Sequence, residues 1–77
     1  MIELMRTTNP ATIAFATALL RGEDIDCFVF DVHTSVLEGS LGVLPQRLMA
    51  PRDQAFRARA VLRDNGLGHE LTPETRA

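Results

Sequence analysis

The stretch IDCFVFDV, residues 25–32, is the clearest strand pattern in this 77-residue chain and decides its fold. It is rich in Val, Ile and Phe, and the side chains of a strand alternate between two faces. One face carries Ile25, Cys27 and Val29, and the other carries Phe28, Phe30 and Val32. Because both faces are apolar, we expect this strand to need cover on both sides.

Upstream of this stretch, the sequence predicts a strand followed by a helix. The strand is MIELMRT, residues 1–7, with Ile2 and Leu4 on one face and Met1, Glu3 and Met5 on the other. The helix covers residues 10–21, since Asn9 is a typical N-cap, Pro10 suits the first helical position and Gly22 is a typical stop. Its apolar side carries Ile13, Ala16 and Leu20, joined by Phe15 and Leu19.

Downstream, the sequence predicts a short strand over residues 47–50, ended by Pro51, and then a second helix. Asn65 and Gly66 form a typical helix stop, and residues 67–71 have the pattern of a short fourth strand. The order of elements predicts an α+β fold of the ferredoxin-like split βαβ type, with both helices on one face of an antiparallel sheet. Strands two and three form a hairpin, and strand one lies beside strand three. We assign residues 1–67 to this domain and residues 68–77 to a partly disordered tail.

The other face of such a sheet is left without helices. In a monomer, either Phe28, Phe30 and Val32 or Cys27 and Val29 would then face solvent. Contact between sheets, or pairing of strand edges, would remove that exposure, so we predict a homo-oligomer.

Composition excludes several classes of function. The formal charge is −2, and all eight basic residues are Arg, so a general cationic surface for nucleic acid is disfavoured. The longest uncharged run, residues 7–20, is too short to span a bilayer, and we expect neither a signal segment nor a membrane partner. The single Cys27 lies in an apolar run and is interpreted as a core residue of a cytoplasmic protein.

Three stretches carry a family resemblance: ELMRTTNPATIAFATALL, FVFDVHTSVLEGSLGVLPQRLMAP and DQAFRARAVLRDNGL. Together they resemble the small bacterial family described as putative prokaryotic signal transducing proteins, a domain of unknown function, over nearly all of residues 2–67. The resemblance implies a ferredoxin-like fold related to the PII-type regulators, which are non-enzymatic signalling trimers. In those proteins the connection between strands two and three engages ligand and partner. That connection is shorter here and lacks their phosphate-binding basic residues, so nucleotide binding is not carried over and no cofactor is predicted.

The same connection is our main candidate site for a small anionic ligand or a protein partner. It is long for a hairpin, and its glycines permit close backbone approach and an anion-binding nest of N–H groups. The candidate residues are Asp31, His33, Ser35, Glu38, Gly39, Ser40, Gly42, Pro45 and Arg47. The alternative is that the leucines and valines of this stretch pack on the sheet or on another subunit.

Two chemical alternatives come from isolated polar residues. Asp31, His33 and Ser35 alternate along a strand and suggest a small hydrolase, but triad members normally come from different elements, and no oxyanion hole is recognisable. We therefore predict no enzymatic activity. No metal site is predicted either, because the His, Cys and acidic residues lack the close spacing of a zinc site.

The outer side of the second helix is a candidate protein contact, together with Phe28 and Phe30. Arg52, Arg59 and Arg63 fall along one side with Phe56 beside them, a combination suited to a protein or anion contact. The simpler interpretation, which we adopt, is a solvated basic face with Phe56 tucked under the tail near Leu67 or Leu71. The sequence thus predicts a non-enzymatic regulatory binding module, with a hydrolase or a purely structural subunit as alternatives.

Overall fold

The computed structural model of the chain describes residues 1–31 and 45–73. Its elements are β1 (Ile2–Thr7), α1 (Pro10–Gly22), β2 (Phe28–Asp31), β3 (Gln46–Ala50) and α2 (Arg52–Leu62). A kinked helical segment (Arg63–Leu67) and a single 3-10 turn (Gly68–Glu70) follow α2. The division into a domain over residues 1–67 and a tail over residues 68–77 stays a prediction.

The three strands form one antiparallel sheet in the order β1-β3-β2. β1 and β2 are therefore parallel to each other, with β3 between them and α1 as the crossover, which confirms the predicted ferredoxin-like split βαβ arrangement. The predicted fourth strand is reduced to one bridge between Met5 and Leu71, beside a 2.8 Å hydrogen bond from the Thr72 N–H to the Leu4 carbonyl. The pairing stays this short because the 3-10 turn comes directly before Leu71 and Pro73, which has no N–H to donate, comes directly after Thr72.

β1 departs from regular alternation at a bulge. Its register with β3 shifts between Glu3 and Met5, so that Leu4 is an extra residue on the β1 side. As a result, Leu4 and Met5 are both fully buried. The expectation that Met5 lies on the opposite face from Leu4 was wrong, because strict alternation does not hold across a bulge.

Both helices cover the sheet face that carries Leu48 and Ala50. The core joins these side chains to the inner sides of the helices: Ile13, Ala16 and Leu20 from α1, and Ala55, Ala58 and Leu62 from α2. α1 begins as predicted, since the Asn9 side chain accepts a 2.9 Å hydrogen bond from the Ala11 N–H and Pro10 is its first residue. The prediction that Phe15 lies on the same side of α1 as Ile13 and Leu20 was wrong, because its ring is half-exposed whereas the side chains of Ile13 and Leu20 are buried in the core.

β2 is shorter than its sequence pattern suggests. Ile25 and Cys27 precede the paired strand, although both are buried in the core. β3 reaches no further than Ala50, because Pro51 has no N–H for the ladder and leads directly into α2. The segment before β2 is held from α2 instead: the Gln54 side chain accepts a 2.8 Å hydrogen bond from the Asp26 N–H.

The helix stop at Asn65 and Gly66 is confirmed. Gly66 has φ = 87°, a left-handed conformation that glycine adopts without steric cost, and the Asn65 side chain donates a 2.8 Å hydrogen bond to the Val61 carbonyl. The chain then turns back, and Leu67 is buried against the core. This turn directs residues 68–73 to the outer edge of β1.

Candidate functional site

The face of the sheet opposite the helices carries the two central aromatic side chains of β2. Phe28 pairs with Met49 and Phe30 pairs with Arg47, while Leu48, between them on β3, points into the core. Phe28 is 44% exposed and Phe30 is 45% exposed. We call this surface the open face. The exposure of Phe28 and Phe30 agrees with what the sequence predicts for a monomer of this fold.

Charged side chains lie on the same face along β1. Arg6 is the cross-strand partner of Arg47, a pairing of like charges, and Glu3 compensates through a 3.1 Å ion pair with Arg6. Burial acts to raise the pKa of Glu3, but hydrogen bonds from Thr72 and Arg6 and the charges of Arg6 and Arg47 outweigh it, so the pKa lies below its ordinary value. Glu3 therefore remains ionised at neutral pH. The Nε atom of Arg47 is buried without a hydrogen-bond partner among the described residues.

Most of the predicted loop site lies outside the described residues. This applies to His33, Ser35, Glu38, Gly39, Ser40 and Gly42. The two ends of the connection are described: the backbone of Asp31 pairs with Gln46, and Pro45 is partly buried just before it. The connection thus leaves and re-enters the sheet beside Phe30 and Arg47, next to the open face.

A second surface is a cleft at the outer edge of β1, which we call the β1–α2 cleft. Its volume is about 580 Å³. It is lined by the start of β1, the exposed side of the first turns of α2 and the end of the described chain: Met1, Ile2, Glu3, Arg6, Arg52, Ala55, Phe56, Arg59, Thr72 and Pro73. The Arg59 Nη1 atom donates a 2.7 Å hydrogen bond to the Thr72 carbonyl and so forms part of the wall.

The cleft corrects our interpretation of the second helix. Phe56 is not tucked under the tail near Leu67 or Leu71, but is 81% exposed at the cleft. The tail instead reaches the sheet through Leu71 and Thr72, which leaves the ring uncovered. Arg52 and Arg59 line the cleft with Phe56, whereas Arg63, one helical turn further along, is exposed outside it.

Three polar residues of the cleft were not identified from the sequence as site residues: Glu3, Arg6 and Thr72. They meet because the Thr72 hydroxyl donates a 2.6 Å hydrogen bond to Glu3 across 69 positions of the chain. The alternation of Glu3 along β1 indicates an outward side chain, but nothing local to Thr72 points to its partner. Such a contact follows from the turn at Gly66 and not from any motif.

The remaining titratable groups show no further constellation within the described ranges. Burial raises the pKa of the Cys27 thiol, which is therefore protonated and a poor nucleophile at neutral pH. Residues 1–31 and 45–73 contain no group of three His, Cys, Asp or Glu side chains placed to hold a metal ion. Within the same residues, no helix is long and apolar enough to cross a bilayer.

The fold defines the chain as a small ferredoxin-like α+β domain. Residues 1–66 match the family model described as "putative prokaryotic signal transducing protein", and the chain belongs to this family. This confirms the resemblance stated from the sequence. No curated protein matches the chain.

Proposed function

We propose that the chain is a non-enzymatic regulatory binding module of the cytoplasm that self-associates through the open face and the free edge of β2. The family description names a role in signal transduction, and a regulatory module agrees with it. The observation that carries the proposal is the exposure of Phe28 and Phe30 side by side on one sheet face. Two half-exposed rings in a domain of this size favour a covering surface.

A second copy of the chain is the occupant that fits best. Among the described strands, β2 pairs with β3 alone, so its outer edge offers free N–H and C=O groups. This edge has no Pro and no Lys, two of the devices that keep edge strands apart. Two β2 edges can pair antiparallel about a twofold axis, which would also enlarge a core that is small in a 77-residue chain.

The β2–β3 connection is proposed as the contact for ligand or partner, together with the arginine at its end. The residues are those named from the sequence: Asp31, His33, Ser35, Glu38, Gly39, Ser40, Gly42, Pro45 and Arg47. The closeness of both loop ends to Phe30 supports this proposal, since it places the connection beside the self-association surface. Ligand binding there would be coupled to assembly.

Analytical ultracentrifugation tests the assembly. We expect the wild-type chain to sediment as an oligomer at micromolar concentration and the Phe28→Ser/Phe30→Ser double variant to sediment as a monomer with an unchanged circular dichroism spectrum. Phe15→Ser is the matched control, because Phe15 is 48% exposed on α1, away from the open face, and should leave the oligomer intact. A monomeric wild type, or an oligomer that survives the double substitution, would contradict the proposal.

The loop is tested separately by NMR. Addition of a panel of metabolites should shift backbone amides of residues 31–47 without turnover of any compound. The hydrolase alternative instead predicts turnover of an ester that His33→Ala abolishes without loss of the folded spectrum. The purely structural alternative predicts that no compound in the panel shifts the loop amides.

A further inference from the structure

We propose that the β1–α2 cleft binds a small aromatic organic anion, with arginine side chains on its charged group and Phe56 on its ring. The cleft volume of about 580 Å³ lies within the range of small-molecule sites. The cleft adjoins the open face at Glu3 and Arg6, but it contains neither Phe28 nor Phe30 nor any residue of the β2–β3 connection, so its ligand binding does not depend on the function proposed above.

The charge of the lining favours an anion. Three guanidinium groups and one carboxylate line the cleft, so the positive charges exceed the negative ones by two, in a chain whose formal charge is −2. The Glu3 carboxylate is already bound by Arg6 and Thr72. Arg52 and Arg59 have no ion pair with any described residue, and the partner of Arg59 is a neutral carbonyl. A guanidinium carries five donors, so Arg59 can hold Thr72 and still bind a phosphate or carboxylate.

The helix end adds to this preference. Arg52 is the first residue of α2, and Pro51 before it provides no side-chain cap. The positive end of the helix dipole therefore lies at the same end of the cleft as Arg52. A helix N-terminus alone does not specify a ligand. Here its positive potential reinforces that of Arg52 and Arg59, which lack acidic partners among the described residues.

The apolar part of the lining selects an aromatic frame. Phe56 is 81% exposed, the most exposed large apolar side chain of the described residues, and Met1, which also lines the cleft, is 55% exposed. An aromatic ring so exposed on a helix gains most from a planar ligand that stacks on it. An inorganic ion would leave Phe56 uncovered, and a neutral ring would leave the arginines without a partner. One ligand that carries both groups satisfies both halves of the cleft.

NMR titration with naphthyl phosphate tests the assignment, with naphthoate, naphthol and inorganic phosphate as comparison compounds. We expect saturable shifts of amides in residues 1–6, 52–59 and 72–73 for the two aromatic anions, and much weaker shifts for naphthol and for phosphate alone. Whichever of naphthyl phosphate and naphthoate binds with the higher affinity identifies the charged group that the cleft prefers. Shifts spread over other surfaces, no shifts at all, or equal binding of naphthol and naphthyl phosphate would overturn the proposal.

Two pairs of variants separate the site from a general effect of charge or exposed rings. Arg52→Gln and Phe56→Ala should each weaken binding by roughly fivefold to tenfold, as expected for the loss of one charge-assisted contact or one stacking contact. Arg63→Gln and Phe15→Ala remove the same groups outside the cleft and should leave the affinity unchanged. None of the four side chains is buried in the core, so the variants should remain folded. Equal losses in a variant and its control would contradict the site.

Discussion

Arg59 on α2 donates a 2.7 Å hydrogen bond from its Nη1 atom to the backbone carbonyl of Thr72, near the end of the described chain. Two further hydrogen bonds join Thr72 to β1: its N–H donates to the Leu4 carbonyl and its hydroxyl donates to the Glu3 carboxylate. Thr72 thus joins the second helix to the edge of the sheet. Leu71 and Thr72 occupy the position that a fourth strand takes in the full ferredoxin-like arrangement.

The first prediction concerns the hydrogen bond from Arg59 to the Thr72 carbonyl, which we call the Arg59 anchor. Arg59→Gln should lower the free energy of unfolding by about 1–2 kcal/mol, because a partly buried charge-assisted hydrogen bond is lost. The Thr72 amide should also exchange its hydrogen faster. Urea unfolding measures the first effect and NMR hydrogen exchange the second. Arg63→Gln is the control and should change stability by less than about 0.5 kcal/mol, since Arg63 is exposed. Equal stability of the two variants would show that the anchor contributes nothing.

The second prediction follows from the lowered pKa of Glu3. Burial opposes the ionised form, but Thr72, Arg6 and Arg47 favour it more strongly, so Glu3 binds its proton less readily in the folded chain than in the unfolded chain. Its stabilising contribution is therefore complete above the ordinary glutamate pKa, about 4.3, and is lost as the pH falls through the lower folded-state pKa. Glu3→Gln should weaken the acid dependence of the unfolding midpoint in that window.

Asp64→Asn provides the comparison for Glu3. Asp64 is exposed and has no hydrogen bond or ion pair with the described residues, so its substitution should leave the acid dependence close to that of the wild type. Urea unfolding at a series of acidic pH values measures both variants. If Glu3→Gln and the wild type lose stability in parallel below the ordinary glutamate pKa, the network around Glu3 does not favour the carboxylate.

The local signals of the sequence explain which parts of the fold could be predicted. The cap at Asn9, the proline at position 10 and the turn at Gly66 each depend on one or two residues and were all confirmed. The bulge that buries Met5 beside Leu4 and the exposure of Phe56 depend on contacts between distant segments. Periodicity along β1 cannot reveal the bulge, because the bulge is defined by how β1 pairs with β3. The cleft could not be predicted either, because Thr72 and Pro73, which form one side of it, are placed by contacts with distant parts of the chain.

The third prediction compares two glycines that both have open space around the position of an added Cβ. Gly66 has φ = 87°, so Gly66→Ala should cost about 1 kcal/mol through backbone strain and not through a clash. Gly22, at the end of α1, has no such conformation, and Gly22→Ala should be neutral or stabilise by up to about 1 kcal/mol, since it lowers the entropy of the unfolded chain. Thermal unfolding distinguishes the two. Similar effects at both positions would contradict the left-handed turn at Gly66.

The last prediction tests the role of Cys27, which is buried in the core with its thiol pKa raised chiefly by burial. The native chain should react slowly with a disulfide reagent at mildly alkaline pH, and the unfolded chain should react rapidly. Cys27→Ser should be less stable than Cys27→Ala by about 1–2 kcal/mol, because it places a hydroxyl in an apolar cluster. The two variants differ by one oxygen atom, so each is the control for the other in urea unfolding. Rapid reaction of the native thiol, or a serine variant as stable as the alanine variant, would contradict a purely structural cysteine.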